Sequence, residues 1–87
     1  MFVILSYDAE SRRCGKLRKT AKRYLHPVQR SVFQGFLTEK QCRLLKEEIA
    51  KVLDTEKDAA VLYKIPQADF LQMDEIGTSE RREEHIL

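Results

Sequence analysis

Eight of the sixteen lysines and arginines stand in one stretch, residues 11–38, that contains no aspartate or glutamate: Arg12, Arg13, Lys16, Arg18, Lys19, Lys22, Arg23 and Arg30. All fourteen acidic residues lie outside it. The formal net charge of +2 therefore conceals a lopsided field, and one surface is expected to attract polyanions. The competing reading is a solvated helix face. The missing carboxylates weaken it, because an ordinary solvated helix interleaves both signs in i,i+4 pairs. The chemistry implied is phosphate binding without readout of base sequence.

Asp8 is the second candidate. It is the one carboxylate that the pattern places at the C-terminal end of a strand beside the basic stretch. An aspartate there can close a turn or cap a helix, or it can help to hold a metal ion. Magnesium is usually held by one or two carboxylates plus waters and phosphate oxygens. One Asp8 is a poor site, whereas two brought together across a molecular two-fold axis make a usable one.

The other reactive residue types point to little. Cys14 and Cys42 fall on the inner stripes of their helices and read as buried, inert thiols. His26 and His85 are isolated and flank no ligand pattern. Gly15, Gly35 and Gly77 are too far apart to form a phosphate loop. No set of nucleophile, base and orienter is present for covalent catalysis. Tyr7 and Phe33 have faces on which bases can stack, but strand aromatics more often belong to a core or an interface.

Short elements must position these residues. Residues 2–7 are continuously apolar and rich in β-formers, as expected of a central strand buried on both faces, and the strand ends at Asp8. Residues 11–25 place Cys14, Leu17, Ala21, Tyr24 and Leu25 on one helical stripe, with Ser11 as N-cap and Pro27 as stop. Residues 28–37 read as strand, either one bent strand or a tight hairpin. Thr38 opens a second helix through a capping box with Gln41, and its stripe is Cys42, Leu45, Ile49, Val52 and Leu53. Its outer face carries both signs, Glu39 to Arg43 and Glu47 to Lys51 at i,i+4, so it serves as an internal control for the first helix. After a polar turn at 54–58, residues 59–65 form a last strand that Pro66 ends.

This order fits an α+β fold, the split βαβ arrangement with both helices on one face of an antiparallel sheet. Residues 1–66 make the domain and residues 67–87 a tail. The 87-residue chain buries only about 60% of its unfolded surface, which favours oligomerisation. Apolar residues beyond Pro66, among them Phe70, Leu71, Met73, Ile76, Ile86 and Leu87, have no place in a core closed by two helices. A C-terminal strand docked on a partner subunit would bury them, so a homodimer is expected. Two cysteines without a CxxC pairing suit a reduced cytoplasmic protein, and the apolar opening is far too short to span a membrane.

Four segments, MFVILSYD, KLRKTAKRYL, VQRSVFQGFLT and DAAVLYKI, together resemble the small CRISPR-associated adaptation protein family. The match runs to about Ile65, with VQRSVFQG its most specific part, and the tail with EIG and EEHIL is similar to one branch. The resemblance implies a ferredoxin-like homodimer that sits between two dimers of an integrase subunit. There it holds a DNA duplex during spacer acquisition while the integrase performs strand transfer. Members have also been described as metal-dependent endonucleases on RNA or DNA, with Mg²⁺ the ion implied here. The family's metal-binding aspartate matches Asp8, with Tyr7 before it, and its phenylalanine matches Phe33. Pro27 stands where some nuclease-type members carry arginine, a departure that bears on cleavage and not on DNA binding. A dimeric DNA scaffold is thus the leading expectation, and an endonuclease with Asp8 as its catalytic and metal-binding residue the alternative. A single-stranded RNA module of similar topology lacks its aromatic and glycine signature here.

Overall fold

Alternation along the first strand sets the two sides of the molecule. In the computed structural model, which describes residues 1–67, 72–74, 76 and 77, β1 spans Phe2–Asp8. Val3, Leu5 and Tyr7 point to one face and are buried. The chain continues through α1 (Ser11–Lys22), β2 (His26–Gln29), β3 (Val32–Phe36), α2 (Glu39–Val52) and β4 (Ala59–Ile65). The sheet order is β2-β3-β1-β4 with every neighbouring pair antiparallel, the ferredoxin-like α+β arrangement. Leu17, Ala21 and Leu25 from the first helical unit join Cys42, Leu45 and Ile49 of α2 over Val3, Leu5, Tyr7 and Phe33 to make one core.

Local chemistry explains the boundaries. At α2 the Thr38 hydroxyl accepts from the Gln41 amide at 3.1 Å, and the Gln41 side chain accepts from the Thr38 amide at 2.9 Å. α1 has no such cap. Ser11 is its first helical residue rather than its N-cap, and Glu10, which precedes it, makes no side-chain cap bond. The regular helix ends at Lys22, before the expected Leu25. One further turn, with the Tyr24 and Leu25 amides both donating to the Ala21 carbonyl, carries the chain to the sheet. Pro27 lies inside β2, paired with Phe33, in an edge strand where a missing N–H costs no ladder bond. Residues 28–37 resolve as a hairpin, β2 turning through Arg30 and Ser31 into β3, with an irregular register between Pro27 and Gln29. Gly35 leaves room here, because a Cβ would sit a tight 3.1 Å from Leu25 Cδ2 where the α1–β2 connection crosses β3.

β1 is not buried on both faces as its composition suggested. The face away from the helices carries Phe2, Ile4 and Ser6 of β1, in register with Val32, Gln34 and Phe36 of β3 and with Val61, Tyr63 and Ile65 of β4. Ile4 and Ser6 are half-buried, and Phe2 is covered by its own neighbour Phe36, ring centroids 5.1 Å apart and edge-on. Phe36, Tyr63 and Val61 remain 70%, 55% and 47% exposed. The continuous apolar run therefore reflects one packed face and one open apolar face. The expected C-terminal strand, residues 67–87, falls largely outside the described residues. No described helix is long and apolar enough to cross a membrane.

Candidate nucleic-acid interface

Asp8 closes β1 opposite Ala59 of β4, with its side chain exposed. Two residues on, the chain is clamped. The Glu10 amide donates to Asp58 Oδ1 at 3.1 Å, and Arg13 reaches the same carboxylate with Nε at 2.5 Å and a terminal nitrogen at 2.9 Å. The Asp54 amide supplies a fourth donor at 2.9 Å. The Asp58 side chain is fully buried and Arg13 only 15% exposed. The Arg13 fork, then the Asp54 and Glu10 amides, hold the Asp58 carboxyl well below the usual carboxylate range despite burial, and Asp58 in turn raises Arg13. Pairing with β4 and this clasp fix the backbone on both sides of Asp8.

The fold sorts the eight expected cations into four groups. Arg13 and Arg23 are engaged within the chain, Arg13 with Asp58 and Arg23 with Glu48, which also accepts from the Tyr24 hydroxyl. That shared acceptor, the Tyr24 bond before the Arg23 bond, lowers the Glu48 carboxyl and raises the Tyr24 hydroxyl. Arg12 stays largely exposed and pairs with Glu10 at 3.1 Å. Arg18 and Arg30 border an open cleft of about 550 Å³ that also includes Tyr7, Asp8, Cys14 and Gly15. Arg18 is held there, donating to the Arg30 carbonyl at 3.5 Å and lying 5.8 Å from the Phe33 ring centroid. Lys16, Lys19 and Lys22 are exposed along a second groove, with Gly15 and Arg18, and form no ion pair among the described residues. At three-residue spacing they rise about 4.5 Å per step along the helix.

Several residues are spent on structure. Tyr7 and Phe33 stack on each other at 6.0 Å inside the core, and Phe33 is fully buried, so neither offers a face to a base. The Tyr7 hydroxyl donates to the Arg30 carbonyl at 3.3 Å, fixing the hairpin turn against β1. Cys42 is buried as expected, whereas Cys14 is only half-buried, its thiol against the Ala9 and Glu10 carbonyls at 3.5 Å each. Both thiols are free. His26 is exposed at the start of β2, and His85 lies outside the described residues. No three ligand-type side chains cluster among the described residues, at Asp8 or elsewhere. Asp58 and Glu48 were missed in sequence. A topological signal for Asp58 exists, because β1 and β4 pair antiparallel and bring the start of β4 to the end of β1.

A two-helix, four-stranded ferredoxin-like domain whose β1 ends on an exposed aspartate beside a cationic helix is the class this fold and site define. The family model of CRISPR associated protein Cas2 matches residues 1–73, and the chain belongs to that family. It is 33% identical over 87 residues to the CRISPR-associated endoribonuclease Cas2 of Dictyoglomus turgidum, covering 100% of both chains. It is 41% identical over 69 residues to the CRISPR-associated endoribonuclease Cas2 2 of Moorella thermoacetica, covering 72% of this chain and 76% of the relative. A crystal structure of Cas2 superposes with a TM-score of 0.82 at 29% identity, covering 92% of this chain and 90% of its own.

Proposed function

We propose that this protein is a dimeric scaffold of CRISPR spacer acquisition that holds a DNA duplex for an integrase subunit in the cytoplasm. The observation that carries the reading is the Lys16, Lys19 and Lys22 groove, cationic and unneutralised by any described carboxylate. Such a stripe binds phosphates and reads no bases. The exposed apolar sheet face supports the dimer, since a second copy laid on it would bury Phe36, Val61 and Tyr63. Three lysines that each neutralise a phosphate give a log–log salt slope of about −2.7 or steeper for duplex binding. A slope near zero would refute the scaffold reading. Phe36→Asp with Tyr63→Asp should convert the dimer to a folded monomer in sedimentation. A dimer that survives both changes is not held by this face.

A second reading, a metal-dependent endonuclease on RNA or DNA, is favoured by the exposed Asp8 on its clamped backbone and by the relatives named endoribonucleases. One Asp8 suits Mg²⁺ only if a second copy adds another carboxylate and the substrate adds phosphate oxygens. Asp8→Asn keeps size and removes the charge. It should abolish metal-dependent cleavage while sparing the dimer. Cleavage at the wild-type rate in that variant, or none by the wild type with Mg²⁺ and Mn²⁺ on either nucleic acid, removes this reading.

A further inference from the structure

Glycine inside a helix is destabilising relative to alanine and is normally explained by a positive φ or by a close contact. Two of the three glycines have such reasons. Gly77 has a φ of 83°, and Gly35 makes room for Leu25. Gly15 has neither. It lies within α1, its φ is not positive, and a Cβ there would meet nothing within 4 Å. Nothing among the described residues explains the absent side chain.

Its surroundings supply an external reason. Gly15 is exposed and borders both openings of the basic face. On one side lie Lys16, Lys19 and Lys22, and on the other Asp8 and Arg30, with Arg18 shared between the two. A side chain at residue 15 would raise a ridge between the groove and the cleft. Its absence leaves a low saddle of helix backbone, where a phosphodiester chain can pass in van der Waals contact and a phosphate oxygen can meet the Cα hydrogens.

We propose that the backbone of bound duplex DNA crosses α1 at Gly15, running from the lysine groove to the Asp8 cleft. The inference rests on the nucleic-acid reading above and adds the route. It carries a signature that a structural role for Gly15 lacks, because filling the saddle stabilises the helix and weakens binding together.

Gly15→Ala and Gly15→Gln in the full chain test it, with melting temperature and fluorescence anisotropy of a labelled mixed-sequence duplex as readouts. Gly15→Ala should raise the melting temperature by about 4 °C. Affinity should fall about threefold for Gly15→Ala and about tenfold for Gly15→Gln, graded with side-chain size. Ala50→Gln, at an exposed position of α2, should leave affinity unchanged. If the Gly15 variants melt higher and bind as tightly as the wild type, the crossing point is wrong while duplex binding stands. A wild-type protein that binds no duplex at low salt overturns the nucleic-acid reading and the crossing with it.

Discussion

The two helices cover the same face of the same sheet and are stabilised in opposite ways. α2 is locally self-sufficient, with a reciprocal capping box at Thr38, Glu39 in its first turn and both signs of charge along its outer face. α1 has no side-chain cap, no acid in its first turn, an internal glycine and like charges along its exposed side. Its support comes from distant residues, Asp58 holding Arg13 at one end and Glu48 holding Arg23 and Tyr24 at the other. The difference teaches where acids can stand around an exposed cationic stripe. They neutralise only the two ends of α1 and leave Lys16, Lys19 and Lys22 uncovered.

Breaking the contrast in charge should have the largest effect. Replacing Lys16, Lys19 and Lys22 together by glutamine should weaken duplex binding by roughly two to three orders of magnitude at about 0.1 M salt. The same measurement should give a salt slope about 2.7 units shallower, 0.9 for each lost phosphate contact. Lys40, Arg43 and Lys46 on α2, replaced in the same way, should change affinity far less. Equal losses from both triple variants would erase the distinction between the helices.

Support at a distance against support in place is the next contrast. Asp58→Asn leaves the largely buried Arg13 guanidinium with only Glu10, 3.5 Å away, as an ionic partner and loosens the Glu10 and Asp54 amides together, so thermal melting should drop markedly. Thr38→Ala removes one helix-cap bond and should cost about 1 kcal/mol, a smaller drop. Arg13→Lys keeps the charge and loses the fork, and should behave like Asp58→Asn. If Thr38→Ala proved the more damaging change, the clasp would be ornamental.

A smaller effect follows from acid. The Asp58 carboxyl is depressed in the folded protein, so its contribution is present above the ordinary aspartate value of 3.8 and is lost as pH falls toward the folded value. Melting temperature should therefore decline below about pH 4 in the wild type, and less steeply in Asp58→Asn. Parallel profiles for the two proteins would show that another carboxylate dominates acid sensitivity.

Much of this architecture is legible in the chain, because its signals are local. Apolar residues at spacings of three and four mark both helices, Thr38 with Gln41 marks the start of α2, and Pro66 marks the end of β4. Features set by contact between distant segments were not legible. Helix α1 ends at Lys22 and Leu25 beyond it packs over Gly35, and the hairpin turn is held by the Tyr7 hydroxyl on the Arg30 carbonyl. The open face of β1 could not be told from core, because an apolar strand has the same composition whether its second face is packed or left open. At the candidate site, the acid-free stretch was visible as a run of eight cations. Which of them stay available was not, since Asp58 and Glu48 meet their partners 45 and 25 residues away.

The central claim is that nucleic acid lies along α1 and not along α2. Titrating duplex DNA into ¹⁵N-labelled protein and following backbone amide shifts tests it residue by residue. Shifts concentrated at Gly15, Lys16, Lys19 and Lys22 and at the Arg30 turn, with Lys40, Arg43 and Lys46 unmoved, are the predicted result. Shifts concentrated on α2, with those of α1 unmoved, would contradict it.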